Sequence, residues 1–321
     1  MTTHLLVGPQ RHGVVVHGAR VAAAGEGEVV RADAPDGVPD LRGRRVVAQV
    51  TDRTYGRTAT AAADALAAVT AGVERLVVVL HDLPQESDGR HHEVRAAAYA
   101  HMARGADAVV VASEHEAALL HEIAPEVRPA VIPLPLDRWG DGVPPGASPQ
   151  PPVVATLGYL YPGKGVEETI DACAALGRPV RVRNLGACSG GHEHLATDLA
   201  DRAAAQGISW STTGWLDDDA LRAELVRTDV PVAAHRHLSA SGSINTWIEA
   251  GRRPLVTHSR YALELAGRLP GAITLVDDDA DGLTTAVDEA LRDRGSTWLV
   301  DLAVGPTSAE CAARLEELAR G

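Results

Sequence analysis

Phenylalanine is absent from this chain of 321 residues, asparagine occurs only at Asn184 and Asn245, and of 30 basic residues only Lys164 is lysine. No apolar run reaches the roughly 18 residues that a membrane-spanning helix needs, so no integral membrane segment is expected. The first residues lack a charged stretch followed by a long apolar core, which argues against a signal peptide. Cys173, Cys188 and Cys311 are isolated and show no CxxC spacing. That excludes a disulfide framework and points to reduced thiols, hence a cytoplasmic setting. Positive charge is also scarce: 43 acidic residues leave a net charge of −13. Such a chain is a poor nonspecific binder of nucleic acid or of anionic membranes. No GxGxxG follows the first apolar run, so a dinucleotide fingerprint is missing.

Scarcity makes the exception informative. Where arginine serves nearly everywhere, a retained lysine marks a position that wants a compact point charge rather than a broad planar fork.

With 45% hydrophobic residues, the chain can bury two cores, and its length suits two domains. Residues 1–140 form the first and 153–304 the second. Between them, 141–152 are rich in proline, glycine and serine, a composition that forms neither helix nor central strand. Both halves alternate short apolar runs with longer helical patterns, the signature of βα units around a parallel sheet. The strongest strands are 5–7, 46–50, 76–80 and 106–112 in the first half. In the second they are 153–157, 179–183, 208–212, 230–234 and 255–257. A final helix over 308–319, within the tail 305–321, lies beyond the second sheet.

Candidate site residues gather at the carboxyl ends of these strands, where doubly wound folds hold ligands. After the first strand stand His12 and Gly13; after the strand at 46–50 stand Asp52 and Arg53, candidates for acceptor contact. His81 follows the strand at 76–80. In the second half, Gly158-Tyr-Leu-Tyr-Pro-Gly-Lys-Gly165 nearly spells a P-loop. Gly165 replaces its metal-holding hydroxyl and Pro162 stiffens it, so an ATPase is not expected. The segment from Ser239 to Thr257 begins with small residues, turns into a short helix near Ile244 and breaks at Gly251. Small residues permit close backbone approach, and first-turn amides lack intrahelical partners; Gly242, Ser243, Ile244 and Asn245 therefore form a place for phosphate oxygens. Glu249, at the far end of that helix, can accept two hydrogen bonds, which suits a pair of ribose hydroxyls. Histidine pairs at 192/194 and 235/237 have i, i+2 spacing, which does not face one way on a helix. No metal is expected.

These segments resemble the family 4-like retaining glycosyltransferases, the group 1 glycosyltransferases of GT-B fold. Glu249-Ala250 with Pro254-Leu-Val is similar to the second Glu of the family motif and its following strand. Ser241 stands where the first Glu would fall. The loop with Lys164 looks like the family's diphosphate-gripping loop, with Tyr159 in the place of its Arg. Thr213-Gly214-Trp215 resembles the base-binding turn, and His81-Asp82 the histidine that touches the transferred sugar. The resemblance implies two Rossmann-like domains with parallel sheets facing a central cleft, the first on the acceptor side and the second binding the nucleotide sugar. It implies a final helix crossing back to the first domain. It also implies transfer from a nucleotide diphosphate-sugar to a small-molecule or glycan acceptor, with retention and with no cofactor or metal. Catalysis would fall to Lys164, His81 and Glu249. The donor would be held by Gly158, Tyr159, Gly186, Gly214, Trp215, Ser241, Gly242, Ser243, Ile244, Asn245 and Glu249. Two other readings share the fold: a noncatalytic nucleotide-binding or partner protein, and an epimerase or coupling enzyme. Donor base, sugar, acceptor and oligomeric state stay open.

Overall fold

The computed structural model describes residues 1–139, 151–236 and 238–321. It divides into two compact units, Met1–Pro135 with Gly305–Gly321, and Leu136–Val304. The expected linker lies mostly outside the described residues. The division itself falls earlier, at Leu136, because that side chain is fully buried among Ala233, Val256 and Ile244 of the second unit.

In the first unit, β1 (Thr2–Val7), α1 (Gly13–Ala23), β2 (Glu28–Ala32), β3 (Arg45–Val50), α2 (Asp52–Tyr55), α3 (Ala59–Val69) and β4 (Arg75–Leu80) come first. They are followed by α4 (His92–Arg104), β5 (Ala108–Val111), α5 (Glu114–Ile123) and the short β6 (Ala130–Val131). All strands are parallel, in the order β2-β1-β3-β4-β5-β6. Alternate residues serve opposite faces of the sheet: Val46, Ala48 and Val50 pack into the larger core, Val47 into the other. This two-sided burial explains the unbroken apolar runs.

The second unit repeats the plan with β7 (Val153–Leu157), α6 (Val166–Ala175), β8 (Arg181–Leu185), α7 (Leu195–Ala205), β9 (Ser209–Thr212), α8 (Asp218–Arg227) and β10 (Val230–Ala233). Then come α9 (Gly242–Glu249), β11 (Leu255–Thr257), α10 (Arg260–Arg268), β12 (Thr274–Val276) and α11 (Ala280–Arg292). The order β12-β11-β10-β7-β8-β9 is again all parallel.

The last helix, α12 (Ser308–Arg320), belongs to the first unit. A capping box between Thr307 and Glu310 starts it. Cys311, Ala312, Leu315 and Ala319 then cover the sheet face that carries Val47, Val77 and Val79. Glu316 fixes its position by accepting from the amides of Glu26 and Gly27, each at 2.9 Å.

Local differences from the sequence reading have simple causes. The stretch after Gly13 is helix α1, started by His12, whose Nδ1 accepts from Val14 N; its apolar residues hid the helical period. Strand β2 was not foreseen, because at the sheet edge only Val30 and Ala32 are buried. Residues 52–55 make one helical turn instead of a loop, and α7 starts at Leu195, after the glycine-bounded turn that holds His192.

Candidate functional site

In the second sheet the strand order reverses between β7 and β10, and the crevice beyond such a switch point is where open α/β sheets take ligands. Two segments emerge there: the loop after β7 that carries Lys164, and the segment after β10 that leads into α9. Gly165, at φ 85°, caps α6 without a side chain. A Cβ on it would collide with the Ala234 carbonyl, so the two segments lie backbone against backbone.

Lys164 is 5% exposed. Its ammonium donates to His235 Nε2 at 2.7 Å and to Ser243 Oγ at 3.3 Å, and it lies 5.6 Å from the centre of the Tyr161 ring. Gly158 leaves open the space beside Nζ; a Cβ there would come within 3.2 Å of it. Burial pulls the lysine down to about 7. His235 is held well below its usual range, first by burial and then by the Lys164 charge. It is therefore neutral, and accepting at Nε2 places its proton on Nδ1.

Ser241 is the N-cap of α9: its hydroxyl accepts from Ile244 N at 3.3 Å and lies 3.1 Å from Ser243 Oγ. This corrects part of the expected phosphate cradle. The amide of Ile244 goes to Ser241 Oγ and that of Asn245 to Ser241 O, which leaves Gly242 and Ser243 at the mouth of the first turn. Ile244 and Ile248 anchor the helix in one core and Trp247 in another. Glu249 is 1% exposed; its Oε1 accepts from Asp137 N at 2.8 Å and its backbone oxygen from Trp139 N at 3.0 Å. Its carboxylate therefore holds the segment that enters the second unit.

A ledge continues from Gly158 across the ends of β8 and β9. Asn184, fully buried, donates to the carbonyls of Gly158 and Gly186 and accepts from Thr156 Oγ1. Gly186 packs against the Gly158 carbonyl so closely that a Cβ would overlap it. Its amide donates to Thr213 Oγ1 at 3.0 Å, and Gly214 turns the chain at φ 71°. Beyond it the Trp215 ring, 45% exposed, lies 6.2 Å from the Tyr159 ring. The ledge thus joins a buried cation, hydroxyls and a helix start to a half-exposed aromatic pair.

The first sheet has its own reversal, between β1 and β3, and His12, Gly13, Asp52 and Arg53 follow those two strands. His12 is half-buried; burial lowers its pKa, with Asp82 opposing and Arg53 adding to the shift. Gly13 and Arg53 are exposed. Asp52 is buried and paired with Arg95 at 2.9 Å; its carboxylate braces α4 instead of facing solvent. His81 is buried, its Nε2 is 2.8 Å from Gln49 Oε1, and its ring meets His17 edge-on at 5.4 Å. Burial, with His12 adding, brings His81 down to about 4, so at neutral pH it donates from Nε2 as an uncharged group. The turn after it is made by Asp82 at φ 52°, a conformation aspartate tolerates better than most residues.

Sequence reasoning missed Asn184, His17 and Gln49 as site residues and weighed His235 only as a metal ligand. One signal was present: the sole lysine and one of the two asparagines brace this ledge, and the other asparagine sits in the first turn of α9. Among the described residues, no group of His, Cys, Asp or Glu is arranged to hold a metal ion, and no helix is long and apolar enough to cross a membrane.

No family model matches the sequence, and none of the curated proteins does. Solved structures do. Anabaena HepE, determined in complex with UDP-glucose, is 15% identical with a TM-score of 0.71, over 99% of this chain and 95% of that one. Sucrose-phosphate synthase from Thermosynechococcus elongatus is 16% identical with a TM-score of 0.65, over 100% and 96%. WaaG, a glycosyltransferase involved in lipopolysaccharide biosynthesis, is 13% identical with a TM-score of 0.63, over 100% and 95%. At such identities the shared property is the fold: two parallel six-stranded sheets with flanking helices, the GT-B architecture.

Proposed function

We propose that this protein transfers a sugar from a nucleotide diphosphate-sugar to a small-molecule or glycan acceptor, with retention of the anomeric configuration. The observation that carries the reading is the convergence of Lys164 Nζ, Ser243 Oγ and the first turn of α9 beside Gly158. An anion entering there meets a cation, hydroxyls and helix-start amides together. HepE, which shares the fold, was solved with UDP-glucose bound, and this supports a nucleotide sugar as the ligand class.

In this reading the diphosphate lies along Gly158, Lys164 and the amides of Gly242 and Ser243. The base takes the Gly214–Trp215 end of the ledge, beside Tyr159 and Gly186. As the glycosidic bond breaks, negative charge builds on the departing phosphate. Fixed donors aimed at a developing anion contribute about 3–4 kcal/mol each, so Lys164→Ala lowers turnover by roughly a hundredfold or more. The departing phosphate then assists deprotonation of the acceptor. Glu249 is assigned to the ribose, and His81 to the sugar. The group-transfer chemistry needs no cofactor, and the protein acts in the cytoplasm.

Ser241 favours a second reading. A neutral N-cap stands where the resembled family has a carboxylate, which fits a nucleotide-binding protein without transfer activity. A thermal-shift screen of UDP-, GDP-, ADP- and dTDP-sugars, followed by a sugar-release assay, separates the two. A ligand that binds the folded state raises its melting temperature. A shift with slow sugar release supports transfer; a shift without release supports the binding protein. A flat response to every nucleotide sinks both.

A further inference from the structure

Lys164 is positioned by a residue that sequence reasoning had considered only as a metal ligand. His235 sits two residues beyond the end of β10 and is 4% exposed. Its backbone oxygen accepts from Thr257 Oγ1 at 3.1 Å, and the preceding Ala234 carbonyl is pressed against Gly165. The imidazole is thus fixed by β11 on one side and by the lysine loop on the other. From that place its Nε2 accepts from Lys164 Nζ at 2.7 Å, shorter than the 3.3 Å bond to Ser243. An ammonium group has three protons; these bonds direct two of them, and Gly158 leaves open space beside Nζ.

The charged groups around the pair are few. Tyr161, on the lysine's own loop, faces Nζ with its ring. On α6, Glu167 and Glu168 act on the exposed Arg236, as does Asp278 beyond β12. None of these carboxylates is among the influences on Lys164 or His235. Among the described residues, the buried ammonium therefore has a neutral acceptor for a partner and no counterion.

We propose that His235 is the positioning residue for Lys164, and that the couple takes up a proton from solvent when the diphosphate of a nucleotide enters. The ligand supplies the counterion. Without ligand the lysine shares its environment with a neutral imidazole and loses its proton easily. With a diphosphate beside Gly158 the ammonium is held. The imidazole keeps it aimed and, by accepting its hydrogen bond, keeps it protonated over a wider pH range than burial alone would allow. This inference rests on the proposed nucleotide-sugar site.

The chain itself supplies a clean probe, because Lys164 is its only lysine. Protein carrying ¹³Cε-labelled lysine, expressed with a lysine-free tag, gives one side-chain resonance whose shift reports protonation directly. It is titrated from pH 5 to 10 in the wild type, His235→Gln and His235→Leu, each alone, with UDP and with inorganic pyrophosphate. The expected midpoint for the free wild type is about 7, rising by more than one pH unit with UDP or pyrophosphate. His235→Leu removes the acceptor; it lowers the midpoint and weakens UDP binding at pH 7.5 about tenfold. His235→Gln offers an amide oxygen in its place and restores most of both. If His235→Leu leaves midpoint and affinity as in the wild type, the positioning role is overturned. If UDP binds without moving the lysine midpoint, the proton-uptake half is overturned while the donor site stands. If the free midpoint responds to His235→Leu but neither UDP nor pyrophosphate binds, the donor-site reading fails, proton uptake on diphosphate binding fails with it, and the Lys164–His235 coupling remains.

Discussion

Replacing Lys164 with methionine should stabilise the free protein while abolishing its use. In an unfolded chain lysine titrates near 10.5, whereas here burial brings it to about 7. Between those values the unfolded state holds the extra proton, so wild-type stability rises with pH across that window. Each pH unit corresponds to about 1.36 kcal/mol, and the gap sets an upper bound of about 5 kcal/mol opposing folding at low pH. Methionine keeps the apolar stem but forfeits the bonds to His235 and Ser243, returning about 1–2 kcal/mol. A net gain of about 3 kcal/mol is expected at pH 6.5, fading to nothing by about pH 10. All five tryptophans, at 139, 210, 215, 247 and 298, lie in the second unit, so tryptophan fluorescence in urea reads that unit alone. The midpoint should move up by about 1–2 M at pH 6.5. The same variant should show no thermal shift with any nucleotide sugar. A methionine variant with the same stability offset at pH 6.5 and at pH 10 would refute the account of an uncompensated buried ammonium.

Three further outcomes follow from other contacts. Gly165→Ala must place a Cβ against the Ala234 carbonyl at φ 85°, costing about 2 kcal/mol or more and moving Lys164 off line; urea melting and nucleotide affinity should both fall. Arg252 is fully buried, with its guanidinium bonded to the carbonyls of Leu225, Thr228, Asp229 and Thr297 and stacked 4.0 Å from the Trp298 ring. Arg252→Met strands those oxygens and should destabilise the second unit by about 3–5 kcal/mol, with the fluorescence midpoint as the readout. Trp215→Ala should leave the melting temperature nearly unchanged, since the ring is 45% exposed. It should weaken UDP binding about tenfold, by loss of about 1–3 kcal/mol of stacking, as isothermal titration calorimetry can check.

Much of the architecture was readable from periodicity. Val46–Val50, Leu76–Leu80 and Val153–Leu157 are continuous apolar runs because both faces of their sheets are covered, and they emerge as β3, β4 and β7. Edge strand β2 escaped because its outward residues, Glu28, Val29 and Arg31, follow no buried pattern. Lys164 stood out by rarity, and its burial accords with that. The roles of its neighbours did not stand out. Ser241, an expected donor contact, is the N-cap of α9; Asp52, an expected acceptor contact, is a buried partner of Arg95. Local sequence says that a polar residue stands at a strand end, and says nothing about which distant group comes to meet it.

Residue order alone determined the alternation of strand and helix, the two-unit plan and the loops that follow each strand, because those depend on hydrophobic period and on glycine and proline placement. Only the folded chain decided that β7 and β10 are neighbours, though more than seventy residues separate them. That pairing brings His235 and Ser243 to Lys164. A hydrogen bond acts over about 3 Å, a distance that strand order in the sheet sets and sequence separation does not.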